Sequence, residues 1–76
     1  MENKLKEIIA SVLEVDMSDV NEDSSPDTIG SWDSLRQMGI ILAVEEQYGV
    51  EFDDEEIIYL NSYKKLLESI QNKLNR

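Results

Sequence analysis

Apolar residues return every three or four positions in separate stretches of this chain, a spacing that selects helices over strands. Leu5, Ile8, Ile9, Val12 and Leu13 fall at i, i+3, i+4, i+7 and i+8, which predicts a first helix over about residues 2–14. A second is expected from about Ser34 to Tyr48, stopped by Gly49 at a position that favours left-handed backbone. Asp53, Asp54, Glu55 and Glu56 suit a helix N-terminus, where acids face the positive end of the dipole. That third helix is short, to about Tyr59, with Ile57, Ile58 and Leu60 expected to point inward. Asn61-Ser62 caps the last helix, in which Tyr63, Leu66, Leu67, Ile70 and Leu74 repeat at helical spacing. Val50-Glu51-Phe52 is the lone strand-like signal. The prediction is an all-α fold: a small four-helix bundle, three longer helices and one short, with a long loop between helices one and two.

That loop is the anomaly. From Val15 to Asp33 the periodicity lapses, and Asp, Ser and Asn cluster with Pro26 and Gly30. So long a connection in a small domain is unusual and often functional. Val15, Val20 and Ile29 are expected to pin it to the core.

Seventy-six residues make one domain, spanning 1–76, near the lower limit for an unaided core. There is no cysteine to staple it and no histidine to serve as a general base or metal ligand. An enzyme is therefore not expected, nor a metal site. Read as a calcium loop from Asp19, the segment puts Ser24 at the sixth position and Gly30 at the twelfth, where glycine and glutamate are required. The formal net charge is −10, and between Glu14 and Glu56 fourteen acids face one base, Arg36. Such a surface repels nucleic acid and anionic membranes and suits basic partners; acidity that merely keeps a small protein in solution is the alternative. The first residues carry no apolar run long enough for a signal peptide or membrane span, so a cytoplasmic monomer without membrane insertion is expected.

Helix two carries two apolar stripes. At about 100° per residue, Ile40, Ile41, Val44 and Tyr48 share one side, and Leu35, Met38 and Leu42 share another. One stripe can face the core; the second, with Gly39, Glu45 and Glu46 beside it, is expected to face a partner. The alternative is a central helix buried nearly all round. At the helix start, Ser34 and Gln37 have the spacing of a capping box. A phosphate attached to that serine would instead meet free N–H groups and the positive dipole end.

Taken together, the acidic amphipathic first helix, the long loop and the segment Trp32-Asp-Ser-Leu-Arg-Gln-Met-Gly-Ile-Ile-Leu-Ala-Val-Glu-Glu-Gln-Tyr48, followed by Gly-Val-Glu-Phe-Asp-Asp-Glu-Glu56, resemble the acyl carrier proteins over nearly the whole chain. The resemblance implies a 4'-phosphopantetheine arm, transferred from coenzyme A by a phosphopantetheinyl transferase onto Ser34, with Asp33 and Leu35 as its motif neighbours. The chain would then be a phosphoprotein holding acyl groups as thioesters. An acyl-loading ligase or transferase and downstream acyl-using enzymes would be its partners, reached through Leu35, Arg36, Met38, Gly39, Leu42, Glu45 and Glu46. Cargo that slips between helices in this family would line up with Met38, Ile41, Leu42, Val44, Tyr48, Phe52, Leu60 and Tyr63, most of which ordinary core packing explains better. Arg36 and Gly39 stand where carriers of housekeeping fatty-acid synthesis have acids, and Trp32 where a small residue is common; the form is similar to free-standing carriers of specialised pathways. A carrier of amino acids or other thioester cargo on the same arm, and an unmodified acidic helical interaction module, are the alternatives.

Overall fold

Glu14 takes a left-handed backbone conformation, φ 58°, and the first helix stops there. In the computed structural model, which describes residues 2–75, α1 is Glu2–Leu13, α2 Ser34–Tyr48, α3 Asp54–Tyr59 and α4 Tyr63–Leu74. The last carbonyls of α1 would otherwise be orphans. The Val15 N–H donates to Ala10 O at 3.0 Å, closing a Schellman-type turn. Ser31 Oγ donates to Leu13 O at 2.9 Å, and the Arg36 guanidinium donates to Val12 O. Loop and α2 thus finish α1 between them.

The other ends follow local chemistry. Gly49, at φ 65°, sends its N–H to Glu45 O at 2.9 Å and ends α2. Asp53 and Glu56 form a reciprocal capping box that opens α3, and the Ser62 hydroxyl accepts from the Lys65 N–H to open α4.

Leu5, Ile9 and Leu13 of α1, Ile40, Ile41 and Val44 of α2, and Tyr63, Leu66 and Ile70 of α4 make the core, closed by Leu60. Fully burying each of the aliphatic side chains among them contributes about 1.5–3 kcal/mol. The stripes of α1 and α2 therefore fall where periodicity placed them, and that of α4 does so up to Leu74, which is exposed at the helix end. Gly39 allows α1 and α2 to approach closely: a Cβ there would lie 3.2 Å from Val12 Cγ1.

The long loop is less irregular than its composition suggests. It contains a 3-10 turn at Met17–Asp19, and Val20 and Ile29 are buried while Val15 is half-buried. Ser24, also buried, accepts from the Asn21 N–H through Oγ at 2.8 Å and from the Tyr63 N–H through its carbonyl at 3.0 Å. Val50–Phe52, despite its strand-like composition, forms no strand, in keeping with the all-α prediction; among the described residues there is none, and the Phe52 N–H is taken by the Glu45 carboxylate at 2.9 Å. One expectation fails. Ile58 points outward, 78% exposed, because in so short a helix Ile57 takes the inner face, with Leu60 buried just past the helix end, and Ile58 lies about 100° away from Ile57.

Candidate functional site

Asp33, not Ser34, is the N-cap of α2. Its backbone is extended, φ −117° and ψ −176°, and its carboxylate accepts from the Arg36 N–H at 2.8 Å. The box expected between Ser34 and Gln37 is therefore absent. The carboxylate one residue upstream already holds the donor that fixes the turn, and the Gln37 amide is drawn inward instead.

The consequence for Ser34 is direct. It lies in the first helical turn and is exposed, and among the described residues its hydroxyl makes no hydrogen bond. Helix geometry leaves its N–H and that of Leu35 without intrahelical partners. Two free N–H groups at the positive end of α2 are what a phosphodiester on Ser34 Oγ requires, so the site fits the group its sequence implies.

Behind Ser34 lies a buried polar network. The Trp32 indole N–H donates to Gln37 Oε1 at 2.8 Å. Gln37 Nε2 donates to Ile57 O at 2.9 Å and Leu60 O at 2.7 Å, two carbonyls at the end of α3. Trp32 and Gln37 are both buried. Neither role was read from the sequence, although one signal was there: Gln37 is three, four and seven positions before Ile40, Ile41 and Val44, in register with the buried stripe.

Beside Ser34 the surface opens into a cleft of about 400 Å³, lined by Pro26, Trp32, Asp33, Ser34, Gln37, Met38, Ile57, Ile58 and Asn61. Ile58, misplaced by the sequence reading, is one of its walls. Of the eight positions considered for cargo contact, Met38 alone lines this cleft. Ile41, Val44, Phe52, Leu60 and Tyr63 are buried in the core, Tyr48 packs against it half-buried, and Leu42 is exposed.

The second stripe of α2 faces outward. Leu35 is 79% exposed, Leu42 60% and Met38 42%, so α2 is not buried all round. Its polar neighbours divide. Glu46 is exposed, whereas Glu45 ties down the Phe52 N–H. Gly39 faces Val12. Arg36 folds back onto α1, with Nη2 at 3.1 Å from Glu14 Oε2. Among the described residues no cluster of acids is arranged to hold a metal ion, and no helix is long and apolar enough to cross a membrane.

Comparison with known proteins bears on the chain as a whole. The family model described as the phosphopantetheine attachment site matches residues 3–70. The chain is similar to the acyl carrier protein of Buchnera aphidicola subsp. Acyrthosiphon pisum (strain 5A), 35% identical over 74 residues, covering 96% of this chain and 91% of that one. It is 38% identical over 71 residues to those of Solidesulfovibrio magneticus and Thermosynechococcus vestitus, covering 92% and 93% of this chain and 90% and 88% of theirs.

Proposed function

The chain belongs to the acyl carrier proteins, which hold acyl groups on covalent 4'-phosphopantetheine, and from that premise we propose that Ser34 is where the arm is attached. The observation that carries this is an exposed serine hydroxyl at the start of α2, released from capping because Asp33 does that work. The arm's terminal thiol supplies the thioester on which cargo travels. What the chain supplies is placement. Ser34 and Leu35 present N–H groups to the phosphodiester, Asp33 fixes the first turn of α2, and the cleft opens at the serine itself.

Carriers of this family work with a phosphopantetheinyl transferase and with acyl-using enzymes. We assign their docking to the outward stripe Leu35, Met38 and Leu42, with Glu46 as the free acid beside it. An apolar anchor supplies affinity, and rim charge acts on association rate and on rejecting wrong partners. Arg36, which the sequence set against a basic partner, is already paired with Glu14, so its repulsion is muted. In this reading residues 1–76 form one cytoplasmic carrier unit that acts as a monomer and catalyses nothing itself. The test is loading. Holo chain charged with an acyl group should release it to neutral hydroxylamine, as a thioester does, and Ser34→Ala should accept no charge. Retained charging of Ser34→Ala would refute the assignment.

A further inference from the structure

We infer that Gln37 determines cargo specificity: it closes the way between α2 and α3, so that cargo stays in the outer cleft and the core is barred to long acyl chains. This rests on the reading of Ser34 as the attachment point. Three observations carry it. First, the Gln37 side chain spans the gap, bonded to Trp32 on one side and to Ile57 O and Leu60 O on the other. An acyl tail entering from Ser34 toward Ile40 and Val44 has to part those bonds and leave buried polar groups without partners, which hydrocarbon cannot replace. Second, the alternative is already open. The cleft needs no rearrangement, and Met38, Ile57 and Ile58 give it apolar walls. Third, its volume of about 400 Å³ lies toward the small end of the range for ligand pockets, about 300–1,000 Å³. Ser34 stands on its rim, so a tethered group meets it at a high effective concentration. Short cargo fits there; the tail of a long one is left in water.

The experiment compares acetyl and octanoyl forms of the holo chain. Hydroxylamine attacks the thioester carbonyl, giving the hydroxamate and the free thiol, and the rate reads how far the thioester is shielded. In wild type the two rates should agree within error. Methyl resonances of Met38, Ile57 and Ile58 should move on acylation while those of Ile40, Val44 and Leu66 stay fixed. Gln37→Ala should open the path, slowing the octanoyl form relative to the acetyl form by about tenfold if two methylenes become buried. Wild type overturns the inference, whether or not the variant folds, if its octanoyl form is protected and its core methyl resonances move. Peptide mapping of the same samples separates the two readings: an arm found elsewhere refutes the Ser34 assignment and this inference with it, whereas core burial with the arm on Ser34 refutes this inference alone.

Discussion

Trp32 and Gln37 are joined side chain to side chain at 2.8 Å, and through Gln37 the start of α2 is tied to the end of α3. The long loop delivers Trp32 to this contact, so one side chain, Gln37, links the loop, the helix that carries Ser34 and the short helix beside it.

Gln37→Ala strips partners from the Trp32 indole and two carbonyls. The expected loss is about 2–3 kcal/mol in urea unfolding, a large part of the about 3–5 kcal/mol that so small a core supplies. Trp32 fluorescence should shift to the red. An unchanged midpoint and emission maximum would mean that the network is not formed in solution.

Asp33 and Ser34 should separate cleanly. Asp33→Ala removes the N-cap of α2 and should cost about 1 kcal/mol. Ser34→Ala, which removes no hydrogen bond, should stay within about 0.5 kcal/mol of wild type. The reverse order in thermal or urea unfolding would restore the serine as the cap.

Arg36 is a structural cation. Arg36→Asp, intended to rebuild an acidic face on α2, also strips a donor from Val12 O and sets two acids together. A loss of about 1–2 kcal/mol is expected. A variant as stable as wild type would show that Arg36 is free to meet partners.

Much of the bundle was legible because apolar spacing and caps are local signals. The stripe of Ile40, Ile41 and Val44, Gly49 at the end of α2 and the acids opening α3 all sit where short-range rules put them. The errors came where two rules competed. Ser34 with Gln37 fits a capping box, but Asp33 with Arg36 satisfies the same turn one residue earlier. Gln37 then answers to carbonyls twenty and more residues away, which no local pattern encodes. Ile58 is apolar, yet a six-residue helix has one inner face; Ile57 takes it, and Leu60 is buried just past the helix end. Ser34 could be singled out from its motif; the cleft beside it needed the fold.

Tyr63 is buried, and among the described residues its hydroxyl has no hydrogen-bond partner. Burial, then nearby Glu2 and Glu22 and Tyr48, raise its pKa above the ordinary phenol value of 10.0. The folded state therefore holds this proton more tightly than the unfolded one. The stabilising contribution is complete below pH 10.0 and is lost as pH rises through the higher folded value. Tyr63→Phe should be neutral or stabilising at pH 7, since it removes an unsatisfied polar group, and should flatten the fall in melting temperature on the alkaline side. A clear loss of stability at pH 7 would show that the hydroxyl is bonded after all.

The central claim is that Ser34 alone carries the arm. Apo chain, Ser34→Ala and Ser31→Ala should each be incubated with coenzyme A and a promiscuous phosphopantetheinyl transferase, then measured by intact mass and peptide mapping. Wild type and Ser31→Ala are predicted to gain one phosphopantetheine, mapped to Ser34, and Ser34→Ala none. Addition to Ser34→Ala, or a modified residue other than Ser34 in wild type, would contradict the account.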